Sequence, residues 1–208
     1  MSQLRIYYIF IFFLFVLIGC KKIETTSPGV SDCHIYSNVN PDTNYIPHKK
    51  GNFWSYCYEG NSAAGFNVNI VLDTIIGGKI YFQRVFAASN SHSPPQSIPG
   101  NSVIDSLGNY YLVINVYSVP DTVLIIKPNA QNGDTIYKNL IKSNKVVLEN
   151  KNETFMSIPG CYHIKIIKST SNSTKVEHHY YKKGVGEIYF NMENITNTGY
   201  ILTNSIIH

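Results

Sequence analysis

Phe66-Asn67-Val68-Asn69-Ile70-Val71-Leu72-Asp73-Thr74-Ile75-Ile76-Gly77-Gly78-Lys79-Ile80-Tyr81-Phe82-Gln83-Arg84-Val85-Phe86 reads as two strands and a turn. Successive side chains of an extended chain point to opposite faces, so Phe66, Val68, Ile70 and Leu72 share one side, against Asn67, Asn69 and Asp73. Gly77-Gly78 suits a tight hairpin turn, and the chain returns through Ile80 to Phe86. The same grammar runs outward in both directions. Upstream, Phe53 to Glu59 alternates, with Trp54, Tyr56 and Tyr58 on one face. Downstream, Ser89 to Asn101 is a loop, and Val103–Asp105 and Asn109–Val116 flank a turn at Ser106-Leu107-Gly108. Further strands are expected at Thr122–Ile126, Thr135–Ile141, Lys145–Glu149, Glu153–Ile158, Cys161–Lys168, Lys175–Lys182, Glu187–Phe190 and Tyr200–Ile206. No stretch of a dozen residues keeps a 3.6-residue period. Short strands at this spacing predict an all-β antiparallel sheet, sandwich or barrel.

Composition agrees. Charged residues make up 14% of the 208 and aromatic residues 13%, with 16 Tyr and 10 Phe, types that favour pleated, half-buried surfaces. The formal net charge of +4 is dispersed. Nucleic-acid binding would want a concentrated basic stripe, and none is present.

The first residues read differently from the rest. Met1 to Arg5 are short and basic, and Ile6 to Ile18 are continuously apolar or aromatic. That run is too short to span a bilayer and fits the apolar region of a secretory signal. It ends in Leu17-Ile18-Gly19-Cys20, which resembles the lipobox of bacterial lipoproteins. The resemblance implies a signal peptide over 1–19, cleavage before Cys20, and diacylglyceryl and further acyl (palmitate-like) chains on that residue. Several acyl chains exceed what stable anchoring needs, so a membrane lipid is the expected partner. Lys21 stands where an Asp would favour inner-membrane retention, which points to the outer membrane. Residues 20–44 are polar and turn-rich, a tether, and 45–208 form the β-rich domain. Cys33, Cys57 and Cys161 remain, an odd number; a Cys57–Cys161 bridge and buried free thiols are both open.

Five further pieces resemble an uncharacterised family of Bacteroidota lipoproteins: Gly51-Asn52-Phe53-Trp54-Ser55-Tyr56, Asp105-Ser106-Leu107-Gly108-Asn109-Tyr110-Tyr111, Asn132-Gly133-Asp134-Thr135, Ile158-Pro159-Gly160-Cys161-Tyr162, and Tyr180-Tyr181-Lys182-Lys183-Gly184-Val185-Gly186. Tyr137 stands near a Trp in that pattern, and an Ala is missing beside Gly160. The resemblance implies a single, strongly curved antiparallel sheet or half-barrel, similar to the LolA/LolB carriers, with a β-sandwich as the alternative. It supplies no catalytic residues.

Patterns that carry chemistry are scarce. There is no nucleophile elbow, His-Glu-x-x-His, phosphate loop or dinucleotide fingerprint, so no catalytic residue and no cofactor is expected. Neighbours on a strand face opposite ways, so His178 and His179 cannot hold one metal ion, although His163 on the preceding strand could share a face with one of them. Zinc would still want a third ligand, and no metal site is assigned. Cys161 and His163 project to one side without a third partner. Asp73-Thr74-Ile75, Asp105-Ser106-Leu107, Asp121-Thr122-Val123 and Asp134-Thr135-Ile136 resemble the O-glycosylation motif of exported Bacteroidota proteins, which would modify Thr74, Ser106, Thr122 and Thr135. The same tripeptide is also a natural strand entry. Two readings of function stay open. One is a non-catalytic envelope lipoprotein holding a lipid or apolar ligand on a concave face, with Trp54, Tyr56, Ile70, Leu72 and Phe82 as lining. The other is a structural or surface component of the outer membrane with no ligand.

Overall fold

The computed structural model describes residues 44–59, 61–88, 98–116, 119–139, 143–193 and 199–208. The leader, Cys20 and most of the tether lie outside them. Twelve strands follow one another: β1 Phe53–Tyr58, β2 Asn61–Ile76, β3 Lys79–Ala88, β4 Ile98–Ile104, β5 Tyr110–Val116, β6 Val119–Ile126, β7 Thr135–Asn139, β8 Asn144–Phe155, β9 Ile158–Ser169, β10 Thr174–Lys182, β11 Gly186–Glu193 and β12 Gly199–Ile206. All lie in one antiparallel sheet, which excludes the sandwich. No helix occurs among the described residues.

The order is β6-β5-β4-β3-β2-β1-β12-β11-β10-β9-β8-β7. Consecutive strands therefore pair, except β6 and β7, and β1 pairs with β12, the first strand with the last. The edges of the sheet are β6 and β7, which touch each other. The result is a nearly closed barrel whose seam falls in the middle of the chain. Tyr162 helps hold the β6 side. Its hydroxyl donates to the Lys127 carbonyl at 3.1 Å and accepts from the Lys127 amide at 3.2 Å.

Closure gives the sheet an inside. Trp54, Ile70, Phe82, Leu148, Tyr162, Ile164, Ile188 and Leu202 are all buried. Phe82 stacks on Tyr110 and Tyr56 on Phe66. Across β9 to β11 the outer face is covered too, where Phe155 stacks on Tyr180 and packs against Tyr189.

The motifs noted in the sequence hold turns and ends. Gly77 and Gly78 have φ of 57° and 75°, the pair of positive values a type I′ hairpin demands. Asp105 accepts hydrogen bonds from the amides of Leu107 and Asn109, from the Asn109 side chain and from the Tyr111 hydroxyl. Burial raises its carboxyl, but those bonds together outweigh it and hold it below the usual range. Asn52, fully buried, accepts the His208 amide on Oδ1 at 2.8 Å and so ties the C-terminus to the start of β1. Gly186 lies against the Trp54 indole, where a Cβ would come within 3.0 Å of Nε1. That indole donates to the Val185 carbonyl at 2.5 Å.

Several expectations need correcting. Val71 and Leu72 both lie exposed, because the β2–β3 register shifts between Ile70 and Leu72. The extra residue of a bulge reverses which face later residues take. Lys145–Glu149 and Glu153–Ile158 are not separate strands: β8 runs through to Phe155 with three irregularities and turns at Met156-Ser157, both at positive φ. β4 begins at Ile98, inside the expected loop. Cys161 is free and buried, whereas Cys57 is disulfide-bonded. The Cys57–Cys161 bridge is therefore ruled out.

Candidate functional site

A cavity of about 170 Å³ lies inside the barrel. Trp54, Tyr56, Phe66, Val68, Arg84, Phe86 and Leu112 line it from β1, β2, β3 and β5, and Ile166, His179, Tyr181, Glu187 and Phe190 from β9, β10 and β11. Strands far apart in the sheet share this lining because the sheet curls back on itself.

Most of the wall is apolar, and three charged side chains stand in it. Arg84 is paired with Ile70 across β2–β3 and alternates with Phe82 and Phe86. Its guanidinium lies over the Phe86 ring at 5.3 Å and the Tyr110 ring at 5.8 Å, arrangements in which the ring face attracts the cation. Its Nε is buried and has no hydrogen-bond partner.

His179 faces it from β10. Its Nδ1 is 2.6 Å from Glu187 Oε1, and its Nε2 is 3.5 Å from Glu177 Oε2. The second contact is an ion pair without hydrogen-bond geometry, since Nε2 has no hydrogen-bond partner. Burial disfavours charge on this imidazole, but the two carboxylates outweigh it and push the pKa up to about 9. His179 is therefore a cation at neutral pH. Glu177 also takes Lys168 Nζ on both oxygens, at 2.6 and 2.8 Å. Burial raises its carboxyl, but His179 and Lys168 bring it down to about 2.

The surrounding hydroxyls stay neutral. Tyr56, Tyr110 and Tyr181 are raised, first by burial. Arg84 and Glu187 act on all three in opposite senses, as a cation and an anion near the same group of rings. Tyr56 donates to the Glu187 backbone carbonyl at 2.9 Å.

Of the residues expected to line a ligand site, Trp54 and Tyr56 are in this wall. Ile70 and Phe82 are buried, at 2% and 3% exposure, and are not in it. Leu72 is outside, in a surface hollow with Thr74 and Tyr81, close in sequence to the exposed Ile75 and Ile76. The hydroxyl-bearing residues Thr74, Ser106, Thr122 and Thr135 are all exposed. His163 shares the outer face with His178, and their Nε2 and Nδ1 are 2.8 Å apart. Among the described residues, no three His, Cys, Asp or Glu side chains form a metal-holding group.

The charged part of the cavity was missed in the sequence. Its signal was parity: Arg84 lies two residues from both Phe82 and Phe86, on the apolar face of its strand.

No family model matches the chain, and no curated protein matches it. Two solved structures share the fold. One is of a protein classed provisionally as a lipoprotein, from Parabacteroides distasonis, with a TM-score of 0.55, 12% identity, and 80% of this chain and 100% of that one covered. The other is of a protein classed provisionally as exported, with a YmcC-like fold, from Bacteroides fragilis. Its TM-score is 0.55 at 9% identity, with 79% and 99% covered.

Proposed function

We propose that this chain is a non-catalytic envelope lipoprotein, anchored through acyl chains on Cys20, whose barrel binds one small apolar group. The cavity is the observation that carries the binding reading. At about 170 Å³ it compares with the roughly 150 Å³ apolar cavity that accepts benzene. It is well below the roughly 300–1,000 Å³ of drug-sized sites. A two-tailed lipid would not fit; a single ring or a short chain would. The lipobox and the exported or lipoprotein classes of the two fold neighbours support the envelope address, and Lys21 favours the outer membrane. Four exposed hydroxyls in the Asp-Ser/Thr-aliphatic pattern support O-glycosylation, which intact mass would reveal.

The small cavity also favours a second reading. Leu148, Ile164, Ile188 and Leu202 are completely buried, so most of the interior is filled and the barrel could serve as an envelope scaffold. Trp54 separates the two, because it is the one Trp of the chain and lines the cavity. The mature lipoprotein in nanodiscs would be titrated with hexan-1-ol and 2-phenylethanol, with empty nanodiscs as the control. A saturable change in Trp54 emission is expected. A response no different from simple solvent dilution would leave the scaffold reading standing.

A further inference from the structure

We infer that the cavity's ligand carries an anionic group, a carboxylate on a ring or short chain, which the Arg84 guanidinium binds. This rests on the apolar-ligand reading and adds the head to the tail. The argument is one of charge pairing. Arg84, His179 and Glu187 line the cavity, and Glu177 and Lys168 extend the charge network from His179. Lys168 is bound to Glu177 by two short hydrogen bonds. His179 is bound to Glu187 and lies beside Glu177. Both carboxylates are thus engaged, and Arg84 is left over.

Among the described residues, no carboxylate forms an ion pair with Arg84. Its contacts are the rings of Phe86 and Tyr110, and its Nε is buried without an acceptor. A partly buried guanidinium is costly without a counter-charge, and its planar fork of N–H donors matches a carboxylate in geometry and charge. The three hydroxyls nearest these charges are kept neutral, so none of them supplies the anion. The apolar remainder of the wall, Trp54, Phe66, Val68, Leu112 and Phe190, is where the ligand's hydrocarbon would lie.

The test compares acids with alcohols of the same shape. Hexanoate and phenylacetate are titrated against hexan-1-ol and 2-phenylethanol at pH 7, on the mature lipoprotein in nanodiscs, read by Trp54 emission. The acids are expected to bind at least tenfold more tightly, and added salt is expected to narrow the gap. In Arg84→Gln the gap is expected to close, the acids losing at least tenfold more affinity than the alcohols. Acids binding no better than alcohols would overturn the inference and leave the apolar reading intact. Binding of neither class would remove both. A preference that survived in Arg84→Gln would also overturn the assignment. If Arg84→Gln does not fold, the acid–alcohol comparison and its salt dependence in the unaltered protein still decide, and Arg84→Lys, which keeps the charge, is expected to retain part of the preference.

Discussion

His178 and His179 are adjacent on β10, yet the two faces of the strand treat them in opposite ways. His179 points into the barrel, where Glu187 and Glu177 hold it protonated. His178 points outward and meets another imidazole, His163, at 2.8 Å. His163 in turn stacks on Tyr180 and hydrogen-bonds through Nδ1 to Glu153 at 2.7 Å. Burial lowers the pKa of His163, and although Glu153 pulls the other way, the net shift is downward. The inner face therefore holds an imidazole cation between two carboxylates, and the outer face an aromatic stack in which burial works against charge on His163. The difference follows from what the neighbouring strands contribute. On the inside, β11 brings a carboxylate; on the outside, β8 brings Phe155, and Glu153 only at a third of its exposure.

Removing a carboxylate from each face should show the largest contrast. Glu187→Ala leaves the buried His179 cation short of its nearest partner, a change that costs about 3–5 kcal/mol when a buried pair is broken. Glu153→Ala removes a hydrogen-bond acceptor that is about a third exposed and should cost about 1 kcal/mol. Urea denaturation of both variants measures this. Equal losses would break the comparison, because the inner pair would then be no more buried in energy than the outer one.

The pH dependence comes next in size. His179 has a folded pKa raised from 6.5 to about 9, so its stabilisation is complete below pH 6.5 and is lost as pH rises through 9. The limb is of order 3 kcal/mol at most. His163 is shifted the other way. Its neutral form is favoured by folding, so stability falls as pH drops below 6.5. Glu177, down to about 2 from 4.5, adds a further loss between those values. Denaturation curves from pH 4 to 9 should therefore peak near neutrality. His179→Gln is expected to flatten the alkaline limb and His163→Phe, which keeps the ring on Tyr180, the upper part of the acid limb. A His163→Phe change that altered the alkaline limb instead would reverse the assignment of faces.

A third contrast concerns Trp54. A side chain at Gly186 would meet the indole and would have to adopt a φ of 105°, which side chains other than glycine's avoid. Gly186→Ala should cost about 1–3 kcal/mol and shift Trp54 emission to longer wavelength. Gly77→Ala has open space around it and carries only the backbone strain, so it should leave the emission unchanged.

Most of the strand pattern was legible, because alternation is a local property and Phe66 to Phe86 displays it without interruption as far as Ile70. The closure was not. Phe53 meets Ile206 across the β1–β12 pair, and nothing in either segment names the other. Leu72 was misplaced because a bulge is invisible in a pattern of apolar residues that continues on both sides of it. The cavity was half legible: Trp54 and Tyr56 follow from their apolar faces, whereas Arg84, His179 and Glu187 read singly as solvated charges. Only the barrel brings them together. The resemblance motifs were read as scaffold, and Asp105 and Asn52 show how: each closes a turn or an end with its own side chain.

The smallest effect separates a buried thiol from a reactive one. Cys161 and His163 share the outer face of β9, the placement that invited a thiolate–imidazole reading. The geometry gives the imidazole other work, with Nδ1 on Glu153 and Nε2 on His178, so neither nitrogen is placed to take the thiol proton. The thiol itself is fully buried and donates to the Ile158 carbonyl at 3.2 Å. Burial pushes its pKa up, despite a hydrogen bond from Phe155 and the charge of Lys182, which work the other way. The thiolate is the reactive form, so iodoacetamide should leave the Cys161 peptide unmodified in the native protein and label it once the barrel is unfolded. Its labelling rate should track unfolding across denaturant rather than the free-thiol rate. Rapid native labelling at neutral pH would mean that the outer aromatic layer opens on its own, and the outer face would then be the dynamic one of the two.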